Sequence, residues 1–175
     1  MRFTLLLTAL AGLAAMTGCA PTVAIHPLYT TPDLVSDLPL EGNWAGNDGE
    51  AWQIKKSEDG YEADSADGSK YTFHLLRLKE SEFVDVTGKS GPGIGVAGHL
   101  IGKISMQDGQ LFVSSLNETW LKHMIDAGLA PQSTIGEGQQ IVLTAPTSEL
   151  QQFILMYAAD PDAWDDDDEG LHRVR

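Results

Sequence analysis

Cysteine is almost absent from this sequence, since Cys19 is the only one in 175 residues. No disulfide can form within the chain, so one hydrophobic core has to hold the fold together. A chain of this length is long enough to build such a core without covalent cross-links. No internal repeat is visible, and the sequence is interpreted as a single folded domain behind an N-terminal leader.

Positive charge is also scarce. Lys and Arg number 11 against 25 Asp and Glu, which gives a formal net charge of −14 at pH 7. A surface this acidic repels phosphate backbones, so nucleic acid is not an expected partner. The same repulsion argues against electrostatic binding of the folded surface to anionic lipid head groups.

The apolar run at the start of the chain is short. Phe3–Ala15 follows Arg2 and has too few residues to cross a bilayer as a stable helix. A cationic start, a short apolar stretch and small residues before a cleavage point indicate a secretory signal. Thr17 and Gly18 are the small residues, and Cys19 follows them.

Met16-Thr17-Gly18-Cys19 resembles the signal of bacterial lipoproteins. The resemblance implies that the Cys19 thiol receives a diacylglycerol, that the chain is cut before it, and that the new amine is acylated. Ala20 stands where an Asp commonly retains such proteins in the inner membrane, which implies an outer-membrane, periplasm-facing location. The alternative is an ordinary signal peptide cut near Ala15 or Ala20, but this leaves an unpaired thiol in an oxidising compartment.

Three segments are predicted along the chain. Residues 1–18 are the signal peptide, and residues 19–38 form a lipidated tether with three prolines and little periodicity. Residues 39–175 form one globular domain that contains the acidic segment 160–169. The membrane is therefore an expected partner through the acyl anchor, and a second envelope protein is a further candidate.

The apolar pattern of the domain predicts an α+β fold with a mainly antiparallel sheet and two short helices. The sheet either stays open or curls into a small barrel or half-barrel. Strands are expected at 51–56, 61–64, 71–78, 82–86, 99–106, 110–116 and 141–144, with a last edge strand at 171–174. Asn117 is expected to cap a helix over 118–127 that Gly128 ends, and Ser148 with Gln151 fits the capping box of a second helix.

Gly42-Asn43-Trp44 resembles the Gly-x-Trp opening of lipocalin-type barrels. The resemblance implies that Trp44 closes the barrel bottom under a late basic residue, here Arg173 or Arg175. The alternative is a tryptophan that starts a strand and packs in an ordinary core. The helix at 118–127 interrupts the strands and departs from the lipocalin order. More broadly, 40–44, 75–78 with 83–86, and 144–153 resemble small bacterial lipoproteins of uncharacterised function, which implies no activity.

Residues typical of catalytic or metal sites are not arranged in a recognisable pattern. The histidines His26, His74, His99, His123 and His172 lack the spacing of a helical ligand pair, and His74 and His99 are expected to face solvent. Ser114-Ser115 lacks the glycines of a nucleophile elbow, and the mobile glycine-rich loop at 87–98 lacks the Lys-Ser or Lys-Thr of a phosphate loop. No cofactor, metal or enzymatic activity is predicted.

The acidic segment 160–169 is expected to be solvated and self-repelling, with Trp164 pinning it to the body of the domain. The alternative for these acids is loose capture of calcium or magnesium, which prefer oxygen ligands. Either property concerns the surface of the domain rather than a catalytic centre.

Three functions from different classes remain open. The first is a non-catalytic lipoprotein that docks another envelope protein. The alternative is a module that binds a small apolar ligand or lipid, with Trp44, Trp52, Tyr71 and Phe73 lining its pocket. A hydrolase acting on cell-wall polymer is the third, but no nucleophile–base pair supports it.

We expect Cys19→Ser to abolish acylation, because a hydroxyl does not replace the thiol in the lipoprotein signal. The protein should then leave the membrane fraction and lose the mass of the acyl groups by intact-mass spectrometry. Ala20→Ser is the matched control and should stay anchored. A Cys19→Ser protein that remained membrane-bound with no loss of lipid mass would contradict the anchor.

Overall fold

Alternating apolar residues after Gly42 form a succession of antiparallel strands. The computed structural model describes residues 21–46, 51–58, 60–90, 98–136, 139–165 and 170–174. Its strands and helices, in chain order, are β1 (Val23–Ala24), β2 (Leu34–Val35), β3 (Gly42–Ala45), β4 (Ala51–Ser57), β5 (Gly60–Ser65), β6 (Lys70–Leu78), β7 (Ser81–Ser90), β8 (Leu100–Gln107), β9 (Gln110–Ser115), α1 (Glu118–Asp126), β10 (Ser133–Ile135), β11 (Ile141–Leu143), α2 (Thr147–Met156) and β12 (Leu171–Val174). The predicted α+β class, with a curled antiparallel sheet and two short helices, is confirmed.

Eight of these strands close into an antiparallel barrel. Strands β3 to β9 follow one another as a meander, β6 also pairs with β7, and β12 lies between β9 and β3. The expectation of an edge strand at 171–174 is wrong, because Arg173 pairs with Trp44 on β3 and Leu171 pairs with Leu111 on β9. Closure removes the free edges that an open sheet would present.

Two apolar cores lie on opposite sides of the barrel wall. The inner core fills part of the barrel, and the outer core lies between the wall and a layer made of α1, α2 and the small sheet β1-β11-β10. Leu75 belongs to the inner core and Leu76 to the outer core, since neighbouring residues of a strand point to opposite faces. The end of β6 is therefore buried on both sides.

The two helices begin differently. The Asn117 side chain accepts a hydrogen bond from the Trp120 backbone N–H at 2.8 Å, and Gly128, with φ at 70°, follows the end of α1, as predicted. The predicted capping box of α2 is wrong, because Pro146 is the N-cap residue. Gln151 instead donates a side-chain hydrogen bond to the carbonyl of Leu28 at 2.8 Å.

Residues 21–38, which we call the strap, run over the outside of the barrel as part of the fold. Val23 and Leu28 are buried, β1 pairs with β11, and β2 pairs with β6. The prediction of a tether over 19–38 is therefore wrong from residue 21 onward, because apolar residues between the prolines fill the outer core. Residues 1–20, including Cys19, lie outside the described residues.

Strands extend into the predicted glycine-rich loop and into the polar stretch 129–140. The glycine-rich stretch 87–98 begins inside β7, which extends to Ser90, while residues 91–97 lie outside the described part of the chain. The polar stretch 129–140 contains β10, which pairs antiparallel with β11. Both differences have one cause: neighbouring strands supply hydrogen-bond partners that a local pattern does not reveal.

We expect Leu28→Ala to lower the free energy of unfolding by about 2–5 kcal/mol, the usual cost of emptying a buried leucine site. Leu28 is 0% exposed, and its backbone N–H donates to Asp85 Oδ2 at 2.7 Å. Urea unfolding followed by circular dichroism measures the change.

Leu129→Ala is the matched control, since Leu129 is 61% exposed and its truncation should change stability by less than about 0.5 kcal/mol. Equal stability losses in the two variants would mean that the strap does not unfold together with the barrel.

Candidate functional site

The inside of the barrel contains a cavity of about 390 Å³. Inward-facing residues of the barrel strands line it because alternate side chains of each strand point to the barrel interior. The lining consists of Leu40, Trp52, Ile54, Ala63, Tyr71, Phe73, Val84, Val86, Ile104, Leu111, Val113 and Leu171. Every one of these residues is apolar or aromatic, and the polar side-chain groups of this described lining are the Tyr71 hydroxyl and the Trp52 indole N–H.

The cavity opens at one end of the barrel, which we call the mouth. On four strands, the lining residue closer to this end is partly exposed and the next inward residue is buried. The partly exposed residues are Trp52, Tyr71, Val86 and Val113, and the buried residues below them are Ile54, Phe73, Val84 and Leu111. The turn at 66–69 between β5 and β6 lies at the mouth, and the turns after β6 and β8 lie at the opposite end, the floor.

Trp44 closes the floor. The side chain is 1% exposed, and its indole N–H donates to the carbonyl of Leu40 at 2.7 Å. The Arg173 guanidinium lies 5.0 Å from the centre of the Trp44 ring and donates to the carbonyl of Pro39. This arrangement matches the Trp–Arg contact that the Gly-x-Trp resemblance implied. Arg175, the other candidate partner, lies outside the described residues.

Three of the four predicted pocket residues line the cavity. Trp52 and Tyr71 lie at the mouth with ring centres 5.6 Å apart, and Phe73 lies deeper. Trp44 packs in the floor and is absent from the lining. Sequence reasoning missed the aliphatic half of the lining on β7, β8 and β9, although the alternation of Val84 and Val86 carries the same signal as the aromatic residues.

Tyr61 lies near the cavity without belonging to its described lining. Tyr61 stacks on Phe73 and donates to the carbonyl of Leu38 at 3.4 Å. Burial raises the pKa of Tyr61, and the nearby acids Glu41 and Asp37 raise it further, so the phenol stays neutral at pH 7.

A lysine pair compensates Asp64 at the mouth rim. Lys70 Nζ lies 2.8 Å from one Asp64 oxygen, and Lys55 Nζ lies 3.4 Å from the other. The hydrogen bond from Lys70 is the largest cause that lowers the pKa of Asp64. The carboxylate is therefore ionised and paired, and its charge is directed along the rim rather than into the cavity.

His99 and His74 are partly buried rather than freely solvent-facing, which corrects that expectation. Asp85 is 0% exposed, accepts from the Leu28 N–H, and lies 2.6 Å from His99 Nδ1. His74 stacks on Tyr29 with ring centres 4.5 Å apart. The strap covers part of this face of the wall, which is why both histidines are only partly exposed.

An aspartate that orients an imidazole occurs in catalytic and metal sites as well as in structural ones. In this protein the Asp85–His99 contact joins the strap to the barrel wall, where His99 and Ala24 also exchange two backbone hydrogen bonds of 2.8 Å. Within the described ranges, no group of three or more His, Cys, Asp or Glu residues is placed to hold a metal ion.

Hydrogen bonds from residues distant in the sequence hold Asp165 of the acidic segment in place. Asp165 accepts from the Ser115 hydroxyl at 2.9 Å and from the Asn117 amide at 2.7 Å. Trp164 is buried with its ring 5.8 Å from that of Phe83, which confirms that it pins the segment to the body. The acids at 166–169 lie outside the described residues.

Comparison of the chain with protein-family models, curated proteins and solved structures gives no significant match. In the part of the chain that the structure describes, no helix has the length and apolar character needed to cross a membrane. The functional assignment therefore depends on the cavity and on the strap, which are features of this chain itself.

We expect Trp44→Phe to lower the free energy of unfolding by about 1–3 kcal/mol, because the buried Leu40 carbonyl loses its donor. Trp52→Phe makes the same exchange at the partly exposed mouth and should cost less than about 1.5 kcal/mol. Urea unfolding followed by circular dichroism compares the two. Equal losses would mean that the floor hydrogen bond does not stabilise the barrel.

Proposed function

We propose that the chain is a lipid-anchored, non-catalytic module that binds a small apolar ligand or lipid inside its barrel. The cavity of about 390 Å³, whose described lining is apolar and aromatic throughout, is the observation that carries the proposal. Binding pockets for small molecules span roughly 300–1,000 Å³ and have mainly hydrophobic walls, and this cavity falls within that range.

The size of the cavity favours a ligand over an ordinary core. Protein interiors are close-packed, with few voids larger than a water molecule. An apolar cavity of roughly 150 Å³ in an engineered protein already takes up small apolar molecules. A larger cavity with an open mouth and a closed floor is therefore suited to hold a guest, and the sequence-based alternative becomes the preferred function.

The chemistry of the lining restricts the guest to an uncharged body. Among the residues that the structure describes, no acid or base lines the cavity, and burying an unpaired ion in apolar surroundings is costly. The two polar groups, on Trp52 and Tyr71, lie at the mouth, where the polar end of an amphiphile would remain in water. An apolar tail inside and a head group outside is the arrangement that fits best.

The proposal also includes the lipid anchor that the sequence predicts at Cys19. Acylation at Cys19 would hold the module to the outer membrane on its periplasmic side, since Ala20 lacks the retention signal of the inner membrane. Several acyl chains give stable attachment, whereas one chain gives only reversible binding. Docking to another envelope protein stays a prediction from the sequence.

We expect native mass spectrometry of residues 20–175, purified from the periplasm of the native host, to show a constant extra mass of a few hundred daltons. This span includes the strap, whose removal would expose the outer core. A bare monomer that also fails to bind the fluorescent probe 1-N-phenylnaphthylamine would contradict the proposal.

We expect Ala63→Phe to weaken binding of 1-N-phenylnaphthylamine about tenfold, equivalent to about 1.4 kcal/mol, because the new ring occupies the cavity. Ala51→Phe is the matched control on the neighbouring strand, where the side chain is exposed on the outside of the wall. Fluorescence titration measures both variants. Equal affinities would place the probe outside the barrel.

A further inference from the structure

The cavity is short along the barrel axis. Trp52 lies above Ile54 on β4, Tyr71 lies above Phe73 on β6, and β7 and β9 each contribute a similar pair of lining residues. Residues two apart on a strand are separated by about 7 Å along it. Strands of a barrel tilt by roughly 35–45° from its axis, which shortens this step to about 5 Å. On these strands the lining is therefore two side-chain layers deep.

The volume of the cavity is large for so short an interior. At about 390 Å³, it is about two and a half times the apolar cavity that holds one benzene ring. The same packing gives room for about 15 non-hydrogen atoms. An extended chain of that many atoms is longer than two side-chain layers, so it would have to fold back or leave its end in water. A fused-ring body of the same size fits within the two layers.

The two sides of the cavity differ in chemistry. Trp52, Tyr71 and Phe73 form an aromatic wall on β4 and β6, and the small Ala63 lies between them on β5. In the closed order of strands, β8 and β9 lie opposite β4 and β5, and their lining residues are aliphatic. The Trp52 and Tyr71 rings are inclined by 57° with their centres 5.6 Å apart. A planar guest can stack on one ring and present its edge to the other, which are the arrangements that aromatic pairs prefer.

We propose that the guest of the barrel is a compact, uncharged ring compound with a hydrogen-bond acceptor at one end, rather than an extended acyl chain. This inference rests on the proposed function and names the class of its ligand. The apolar end of the guest is then short and broad, and it fills the two layers between the mouth and the floor.

The Tyr71 hydroxyl is the donor for the polar end of the guest. Neither this hydroxyl nor the Trp52 indole N–H donates a hydrogen bond to another described residue. Both groups lie at the partly exposed mouth, and a hydroxyl rotates to suit its acceptor. A ketone or ether oxygen at the outer end of the guest accepts from Tyr71 while the rings remain inside.

Two matched ketones test the shape of the guest by displacing 1-N-phenylnaphthylamine from residues 20–175, the span that holds the whole described fold. 2-Acetylnaphthalene and 2-dodecanone have the same number of non-hydrogen atoms and the same methyl ketone end, but one is a fused ring and the other an extended chain. Each dissociation constant is corrected by the transfer free energy of the compound from water to octanol, which removes the greater hydrophobicity of the chain. After this correction we expect 2-acetylnaphthalene to bind about fivefold more tightly, because its rings stack on the aromatic wall.

The Tyr71→Phe variant tests the polar end of the guest, because it removes the hydroxyl and keeps the ring. We expect it to weaken binding of 2-acetylnaphthalene about fivefold, the usual effect of losing one hydrogen bond. Binding of 2-isopropylnaphthalene, which has the same size but no acceptor, should not change. Tyr157→Phe is the matched control, since Tyr157 packs against the outer core, and it should change neither affinity.

The outcomes separate this inference from the proposed function. Equal or tighter corrected binding of 2-dodecanone, in a protein that still binds 1-N-phenylnaphthylamine, overturns the ring class and leaves the binding function in place. An equal effect of Tyr71→Phe on the two naphthalenes overturns the hydrogen bond to the guest. Failure of the probe and of all three compounds to bind overturns the binding function itself.

Discussion

The four residues of β12 close the barrel, because they pair with β3 on one side and with β9 on the other. The rest of the structure depends on these pairings. Without this strand, the meander from β3 to β9 would be an open sheet with two unpaired edges and no enclosed volume. Closure also brings Arg173 over Trp44 and so seals the floor. The enclosed cavity and the position of its aromatic residues follow from the same pairing.

Closure of the barrel explains the cavity but not the position of the strap. The strap is attached by apolar burial and by a buried carboxylate, Asp85, which has two partners on different segments. A buried carboxylate is tolerated where donors satisfy its oxygens, and here they come from Leu28 and His99. Because these partners lie on the strap and just before β8, the carboxylate joins the strap to the wall at one defined position.

The sequence predicted the parts that local patterns control and missed those that depend on distant partners. Alternation places Trp52, Tyr71 and Phe73 on one face of their strands, and the barrel turns that face inward. The same alternation puts Asp85 on the outer face, which looks like a solvent face until the strap covers it. The prolines of the strap favour an extended tether when the sequence is considered locally. In the structure, however, Val23 and Leu28 are buried against the folded barrel. The Trp44–Arg173 contact was implied by a resemblance, whereas no local pattern indicates its pairing register.

The position of β12 in the chain also governs when the barrel can form. The hydrogen bond from Arg173 to Pro39 joins residues 134 positions apart, so the closing contacts are among the most distant in the sequence. Pairing of such distant segments makes folding slow, since a long loop must be ordered before the contact forms. During folding, β3 and β9 remain unpaired on one side until β12 pairs with them, and exposed strand edges invite association with other chains. A barrel that is closed by its last strand is therefore most prone to aggregation in the interval before that strand pairs.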